Sequence, residues 1–499
     1  MSAFVLRQAR LVPVGAGAAV PDRPVDVLVV DGEVAAAGPT VDVPAGTEEF
    51  DASGRWLIPG LWDHHVHLGQ WAQVATRVDI SGAGSPDDAV RVVAGWLHDH
   101  PGETVVGWGH RSVTWPREPT VEELDRVAPY VPVILISGDA HHAWLNSAGM
   151  AALDLPWRDD VVREQEWFAA YERLPRLVGD AGTSPAAYRR VQEEAAARGV
   201  VGLVDFEFSG GATDWAERWA AGAGLLRIRM ATYAEGMPAV ALAGLRTGDV
   251  LPGCDERATM GPLKIISDGS LNTRTAWCCA PYADGEWLEH PAGLPNLDGL
   301  ELRGLLRQAH GHGLEVAVHT IGDAAVREAL DAFGDTGATG SIEHAQLVDR
   351  GDLDRLAELG LRASVQPAHL LDDRDVAEQC WPDRSERAFA LRWLFDAGVD
   401  VRFGSDAPVA PLDPWLAMAA AVHRSADDRP AWHPEHALTP AEALAASTDG
   451  WGTVAAGHPA DLVLLDADPL AGSGDTAAVA EHLRSVPVHA TWVAGHRVH

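Results

Sequence analysis

The chain has 499 residues, of which 47% are apolar and 22% charged, and this composition excludes a disordered or collagen-like protein. Its 38 basic and 72 acidic residues give a formal net charge of −34. That charge argues against nucleic-acid and anionic-membrane partners, because phosphate recognition depends on clustered Lys and Arg. The four cysteines show no C-x-x-C spacing, and no apolar run is long enough to span a bilayer. We therefore expect a cytoplasmic protein without disulfides.

Short β segments occupy both ends of the sequence. They lie between Gly, Pro and Asp turns at residues 26–31, 32–38, 460–468 and 488–498. Because the two sets resemble each other, we expect them to pair into one small β-sandwich domain formed from residues 1–55 and 447–499.

Residues 56–446 alternate buried-looking strands with amphipathic helical stretches. Eight strand-like segments are visible, at 56–68, 200–208, 226–234, 262–270, 314–320, 341–346, 361–367 and 401–408. Eight such units predict an α/β fold of the (β/α)8 TIM barrel type. An insertion at about 70–198, with strand-like pieces of its own, separates the first two units.

The strand ends carry residues that suit a metal centre. In a barrel of this kind the active site lies at the carboxyl ends of the strands. These ends hold His65, His67, Lys264, Asp268, His319, His344 and Asp406. Imidazole nitrogen and carboxylate oxygen are typical ligands of hard or borderline divalent metals. His65 and His67 share a strand face, whereas His64 points the other way and is expected to pack outside the centre.

Lys264 is the only lysine in the chain. Its strand position places the amine inside the barrel, where an unpaired ammonium is costly. A lysine amine can react with carbon dioxide to form a carbamate that bridges two metals, and a guanidinium does not fill this role. The alternative is an ion pair between Lys264 and Asp268.

Several motifs in the chain resemble those of the amidohydrolase superfamily, and specifically amidohydrolase family 3, which includes N-substituted formamide deformylase-like metal-dependent hydrolases. These motifs are PGLWDHHVH (59–67), GWGH (107–110), GDAHHAWLNS (138–147), LKIISDGSLNTRTA (263–276), HTIGDAA (319–325), IEHAQ (342–346), SVQP (364–367), GSDAPV (404–409) and HPADLVLLD (458–466). The resemblance extends over nearly the whole chain. It implies a distorted (β/α)8 barrel beside a β-sandwich made from both termini.

The resemblance also implies a set of ligands for two metal ions. His65, His67 and Asp406 would hold the more buried ion, His319 and His344 the other, and carbamylated Lys264 would bridge them. Two zinc ions are expected, with iron, manganese or cobalt as alternatives.

Further roles follow from the same centre. Asp406 and His344 are the expected catalytic residues, with Asp406 as general acid and base for attack by metal-activated hydroxide. The expected substrate-binding residues are Asp268, Arg274, His141 and Trp277. Glu164 is a weaker candidate, either near the substrate or as a ligand if the lysine is unmodified.

The predicted function is therefore metal-dependent hydrolysis of a non-peptide C–N bond in a linear amide, formamide or N-acyl substrate. A deaminase or cyclic-amide hydrolase with one metal is the alternative, since His65, His67, His319 and Asp406 would suffice for it. A catalytically silent, assembly-forming relative is the third interpretation, although every expected ligand position is filled. The partner is a small-molecule substrate, and a homodimer is a compatible assembly.

Overall fold

The computed structural model describes residues 3–15, 18–112, 115–138, 142–171, 173–179, 182–208, 210–427, 429–472 and 474–499. The strands are β1 (Ala3–Leu11), β2 (Val25–Val30), β3 (Glu33–Gly38), β4 (Glu48–Asp51), β5 (Trp56–Pro59), β6 (Leu61–Val66), β7 (Val78–Asp79), β8 (Val105–His110), β9 (Val133–Ser137), β10 (His142–Leu145), β11 (Val162–Arg163), β12 (Val200–Asp205), β13 (Arg227–Thr232), β14 (Ala258–Ile266), β15 (Val316–Thr320), β16 (Gly340–His344), β17 (Arg362–Val365), β18 (Asp400–Phe403), β19 (Leu462–Leu465), β20 (Val488–Val493) and β21 (His496–Arg497).

The α-helices are α1 (Leu68–Val74), α2 (Pro86–Asp99), α3 (Val121–Val127), α4 (Ser147–Ala152), α5 (Glu164–Tyr171), α6 (Pro175–Val178), α7 (Pro185–Ala196), α8 (Ala212–Ala220), α9 (Met237–Ala243), α10 (Gly299–His312), α11 (Asp323–Thr336), α12 (Arg350–Glu358), α13 (Leu370–Cys380), α14 (Leu391–Asp396), α15 (Pro414–His423), α16 (Pro440–Ala446) and α17 (Thr476–Ser485). Among the described residues, none of these helices has both the length and the apolar character needed to cross a bilayer.

Eight parallel strands form the largest part of the structure. They neighbour one another in chain order, β6-β12-β13-β14-β15-β16-β17-β18. A parallel bridge between Val66 and Ala407 joins the end of β6 to the segment after β18, so the sheet nearly closes into a barrel. Register shifts between β6 and β12 and between β13 and β14 distort it. The predicted α/β barrel is confirmed, and each of the eight predicted segments overlaps one of its strands.

The barrel strands are largely buried because both of their faces are covered. Every residue of β6, β12 and β16 is buried, which is the burial expected of a parallel sheet with helices on its outer face. Polar side chains are therefore conspicuous where they occur in these strands.

The barrel helices begin at local hydrogen-bonding signals. Asp298 caps α10 by accepting from the backbone N–H groups of Leu300 and Glu301, and Gly313 ends that helix in the left-handed conformation. In α11 the cap residue is Gly322, and Asp323 is the first residue of the helix. The Asp323 carboxylate accepts hydrogen bonds from the backbone N–H of Cys279 and from the Arg387 side chain. It therefore binds a loop instead of capping its own helix.

The two ends of the chain meet in a second sheet, in agreement with the predicted small β domain. Its strand order is β21-β20-β19-β5-β1-β2-β3, with β4 also paired to β1. Both halves of this sheet pack on one core, in which the rings of Phe4 and Trp492 stack with centroids 5.8 Å apart. Trp56–Pro59 belongs to this sheet, because β5 pairs with β1 and β19, and the barrel begins only at Leu61. The domain boundaries drawn from the sequence stay a prediction.

Residues 69–191 form a separate compact unit. Its five-stranded sheet has the order β11-β10-β9-β8-β7, parallel from β7 to β9 and antiparallel from β9 to β11. Asn146 ties this unit together, since its side chain accepts from the N–H groups of Val133 and Gly149 and donates to two carbonyl oxygens.

A half-buried ion-pair cluster lies on the outer side of the barrel strands. Arg229 on β13 donates two hydrogen bonds to Asp449, at 2.9 and 2.6 Å, and lies over the ring of Trp62. His64 Nε2 lies 3.3 Å from the same carboxylate, so this histidine points away from the barrel interior as its strand parity predicts. Burial alone would raise the pKa of Asp449, but His64 and Arg229 lower it well below its usual range.

We expect Asp449→Asn to lower the free energy of unfolding by about 1–3 kcal/mol at pH 7, because Arg229 and His64 lose a charged acceptor. A carboxylate with a depressed pKa stabilises the fold fully above its unfolded pKa of about 4, and this contribution is lost as the pH falls through the folded value. Urea denaturation at pH 7 and at pH 3 measures both effects. Asp42→Asn on an exposed residue is the control, and equal unfolding curves for the two variants would contradict the prediction.

Candidate metal and catalytic site

The predicted ligands converge at the carboxyl ends of the barrel strands. His65 lies near the end of β6, Lys264 in β14, His319 in β15 and His344 at the end of β16, while Asp406 follows β18 by three residues. Four of these residues, His65, Lys264, His344 and Asp406, are among the buried polar groups. The roles given to these residues stay predictions.

The first group contains His65, His67 and Asp406. His67 Nε2 lies 3.3 Å and His65 Nε2 3.7 Å from Asp406 Oδ1. Each residue offers one ligand atom, and the three atoms lie within 4.8 Å of one another. The strand spacing of His65 and His67 therefore brings both rings to one carboxylate, as predicted.

Backbone hydrogen bonds hold this group in place. The Asp406 N–H donates to the carbonyl of His65 at 2.6 Å, and the His67 N–H donates to the carbonyl of Ala407 at 2.9 Å. Asp406 and His344 both have left-handed backbones, with φ of 59° and 69°. Such a conformation costs a non-glycine residue about 1–3 kcal/mol and is concentrated at functional sites.

A second group contains His344, His369 and the same Asp406, again with ligand atoms within 4.8 Å of one another. The rings of His319 and His344 have centroids 4.6 Å apart. The sequence analysis missed His369, which ends a short 3-10 turn just after β17. Its position beyond a strand end, in the segment SVQPAH, is the signal that could have found it.

Lys264 is buried inside the barrel, as its strand position predicts. Its Nζ lies 3.4 Å from His65 Nε2 and 4.3 Å from the centroid of the Phe206 ring. Burial lowers the pKa of Lys264 to about 8, although the carboxylates of Glu343 and Asp406 act in the opposite direction. A substantial fraction of this amine is therefore neutral near pH 8.

Glu343 is a buried carboxylate that the sequence analysis did not select. Its Oε2 lies 2.7 Å from His65 Nδ1, and its Oε1 accepts from Ser341. Burial would raise the pKa of Glu343, but the bond with His65 and the charge of Lys264 lower it to about 2. A carboxylate on Nδ1 fixes the tautomer of the imidazole and turns Nε2 toward Asp406, an arrangement common behind metal ligands.

Asp268 supports His319 in a similar way. Its Oδ1 lies 3.0 Å from His319 Nδ1, and its oxygens also accept from the backbone N–H groups of Ile321, Gly322 and Trp277. The carboxylate thus has these partners rather than the ion pair with Lys264 considered above. Gly322 is required there, because a Cβ would lie 1.9 Å from the carbonyl oxygen of Trp277.

The remaining predicted substrate residues have other surroundings where the structure describes them. Arg274 pairs with Asp284 at 2.8 Å and donates to the carbonyl of Asn272. Trp277 is half-buried next to the loop that Asp268 organises. His141 lies outside the described residues, and so does the side chain of Glu164, which begins α5 in the separate unit.

The protonation states of the two groups suit a divalent cation. Burial lowers the pKa of His65 to about 4, with the charge of Lys264 acting in the same direction. Burial also lowers the pKa of His344 well below its usual range. Burial would raise the pKa of Asp406, but the surrounding histidines hold it well below its ordinary value. At neutral pH His65 and His344 are therefore neutral imidazoles and Asp406 is a carboxylate, and such donors are typical of Zn, Fe, Mn or Co sites.

Comparison with known proteins gives consistent similarities. The sequence profile described as amidohydrolase family matches residues 48–499. The chain is 29% identical to Protein LONG AFTER FAR-RED 3 of Arabidopsis thaliana, covering 84% of this chain and 79% of that protein. It is 26% identical to N-substituted formamide deformylase of Arthrobacter pascens over 94% of both chains.

A solved structure agrees as well. A metal-dependent hydrolase from Pyrococcus furiosus superposes with a TM-score of 0.77 at 26% identity, covering 94% of this chain and all of the other.

We expect Glu343→Gln to weaken Zn²⁺ binding by about 10–100-fold, because His65 loses the charged partner that orients its ring. Competition with a chromophoric chelator measures this affinity. Glu315→Gln is the matched control, since Glu315 lies just before β15 at the opposite end of the barrel and pairs with Arg362. Unchanged zinc affinity in a folded Glu343→Gln protein would show that this carboxylate does not support a ligand.

Proposed function

The chain belongs to the amidohydrolase family, and from this premise we propose that it hydrolyses a non-peptide C–N bond in a linear amide, formamide or N-acyl compound. Its broader class, the metal-dependent hydrolases of the amidohydrolase superfamily, follows from the family match and the Pyrococcus structure. The observation that carries the narrower proposal is Asp406, an anionic carboxylate 3.3 Å from His67 and 3.7 Å from His65.

The similarity to N-substituted formamide deformylase supports the choice of bond. That relative acts on a formamide by its name, and the match extends over 94% of both chains. A substrate of this class has a carbonyl carbon to be attacked by water and a nitrogen that must leave with a proton. The site therefore needs a group that accepts one proton and later returns it.

The ligands proposed for a first cation are His65, His67 and Asp406. A second cation would be held by His319 and His344, with the carbamate of Lys264 as a ligand shared by both cations. A bound divalent ion lowers the pKa of coordinated water to about 7 and polarises a carbonyl oxygen.

Asp406 is proposed to move the proton. Its carboxylate accepts the proton of the attacking water and then delivers it to the leaving nitrogen, so one group serves as base and acid. The backbone N–H groups that donate to the Asp268 carboxylate hold the loop beside His319. The neighbouring rings of His319 and His344 limit where a substrate carbonyl can lie. His344 is the second residue proposed to contact the reacting atoms.

Carbamylation of Lys264 is proposed from its burial and its lowered pKa. The neutral amine attacks the carbon of carbon dioxide, a C–N bond forms as the electrons of one C=O π bond move to oxygen, and one proton passes from the nitrogen to solvent. The product is an anionic carbamate that offers two oxygens where the protonated amine would carry a positive charge. The nearby anions make this product unfavourable without cations, so modification and metal binding should depend on each other.

We expect Asp406→Asn to keep its bound metal and to lose about 10²–10⁴-fold in kcat, because the proton acceptor is removed while the side chain keeps an oxygen. Turnover of a panel of N-substituted formamides and N-acyl amides, with metal content measured on the same samples, checks this. Asp400→Asn is the matched control, because Asp400 is exposed at the start of the same strand and pairs with Arg402. Full activity in Asp406→Asn would rule out its proposed role.

We expect Lys264→Arg to reduce the number of metal ions per chain, because a guanidinium forms no carbamate and adds a fixed positive charge beside His65. Elemental analysis and intact mass, with and without bicarbonate, measure occupancy and the added carbon dioxide. Arg362→Lys at the start of β17 is the control. One ion per wild-type chain and an unmodified Lys264 would favour the deaminase or cyclic-amide hydrolase with one metal.

A further inference from the structure

We propose that Phe208 forms an apolar subsite beside His67 and selects substrates that carry a flat apolar group on the nitrogen of the C–N bond. The proposal rests on the proposed function, because the substrate is taken to bind at the carboxyl ends of the barrel strands. It gives a role to a residue that is not among the expected ligands.

Phe208 is a large apolar side chain in contact with solvent. Its exposed fraction is 55%, although it follows the buried strand β12 by only three residues. Single exposed apolar residues are common on protein surfaces, so the position of this one decides its meaning. A substrate group that covers the ring removes apolar surface from water, which favours binding.

The position of Phe208 is directly beside a proposed metal ligand. Its ring stacks on the imidazole of His67, with centroids 5.0 Å apart and an interplanar angle of 20°. The ring of Tyr233, which follows β13, has its centroid 5.2 Å from that of Phe208. The Tyr233 hydroxyl donates to the carbonyl of Phe206 at 2.8 Å, so this second ring is held in place.

Hydrogen bonds also hold the backbone that presents Phe208. The Phe206 N–H donates to the carbonyl of Val66 at 2.7 Å, next to the end of β6. The Glu207 N–H donates to the Asp205 carboxylate, and the Phe208 N–H donates to the Glu207 carboxylate. The ring is thus positioned before a substrate binds, which lowers the entropy lost on binding.

A second exposed apolar residue lies beyond the other neighbour of β6. This strand pairs with β12 on one side and meets the segment after β18 through the bridge from Val66 to Ala407. Val409 belongs to that segment, is 69% exposed, and donates its N–H to the carbonyl of Asp406. Phe208 and Val409 therefore follow the two neighbours of the strand that leads to His67, and this side of the site is apolar.

Polar groups occupy the ends of β15 and β16 instead. Asp268 Oδ1 lies 3.0 Å from His319 Nδ1, and Gln346 donates to Asp373 at 3.0 Å. An apolar substituent placed against such groups takes them out of water without offering a hydrogen bond. The side next to His67 is therefore the favourable place for an apolar substituent.

A formamide can carry such a substituent on one side only. Its acyl side is a hydrogen atom, so the substituent on nitrogen is the group that can reach Phe208. Aromatic rings attract one another in offset or edge-to-face contact beyond the effect of the area that they bury. A flat ring on the leaving amine is the group that this surface fits.

The test compares the binding of two phosphonates, whose tetrahedral phosphorus resembles the adduct of water with a formyl carbon. 2-Phenylethylphosphonate matches the length of N-benzylformamide, and ethylphosphonate matches that of N-methylformamide. Isothermal titration calorimetry on the full chain loaded with Zn²⁺ measures both Kd values. We expect the wild-type protein to prefer the phenyl compound, and Phe208→Ala to lower this preference by about 3- to 10-fold, because one ring contact is lost.

Two further variants support this comparison. Phe208→Leu keeps apolar bulk over His67 without a flat ring and should also lower the preference, which keeps the test valid if the alanine variant does not fold. Tyr130→Ala is the control, since this aromatic side chain is 91% exposed in the separate unit. A loss of metal weakens the binding of both phosphonates and cancels in the ratio of their Kd values.

Three results would overturn the proposal: no preference in the wild-type protein, an unchanged ratio in the folded Phe208 variants, or an equal fall in Tyr130→Ala. The Kd ratio needs no turnover, so the subsite and the reaction can fail separately. If the ratio depends on Phe208 but neither formamide is hydrolysed, the proposed reaction fails and the subsite stands. If both formamides are hydrolysed and Phe208→Ala leaves both the Kd ratio and the ratio of their kcat/KM values unchanged, the subsite fails and the hydrolase stands.

Discussion

The closure between the first and last strands of the barrel is the constraint on which the site depends. The bridge from Val66 to Ala407 and the bonds from Asp406 to His65 and from His67 to Ala407 join β6 to the segment after β18. These are also the segments that carry the first three candidate ligands. The hydrogen bonds that close the sheet therefore also bring these ligands together. The left-handed backbone of Asp406 is tolerated because the hydrogen bonds at Asp406 and Ala407 fix the conformation of this segment.

A surplus of buried carboxylates surrounds this closure. Besides Asp406 and Glu343, Asp63 accepts from the N–H groups of His65 and Ser405, and Asp205 accepts from that of Leu68. Burial raises the pKa of both Asp63 and Asp205 to about 6. Lys264 acts electrostatically on Glu343 and Asp406, and buried charge without a partner is costly. A divalent cation held by the proposed ligands would add positive charge to this acidic interior.

Much of this architecture could be predicted from the sequence. The apolar runs of the barrel strands, the ligand types at their ends and the parity that separates His64 from His65 are all local patterns. Glu343 and His369 were not predictable in the same way. Glu343 contacts His65, which lies 278 positions away in the sequence. His369 lies in a short turn after a strand, and the sequence does not show toward which side this turn directs the ring. Asp268 was predicted to bind substrate, but its hydrogen-bond partners are His319 and backbone N–H groups of the loops. Most of these partners come from a segment 51 to 54 residues further along the chain, which a local pattern does not show.

The terminal sheet has a consequence for how the protein is made. Strand β5 emerges from the ribosome early, yet one of its edges is covered by β19, which ends at Leu465. At about 5–20 residues per second, roughly 20–80 seconds separate the two. During this interval an apolar strand presents unpaired backbone groups, a template for association with other chains. The barrel is incomplete during the same interval, because β6 pairs with its second neighbour only after the segment around Ala407 has been synthesised. In a nascent chain, β5 and β6 therefore lack these partners until β19 and the segment around Ala407 have been synthesised.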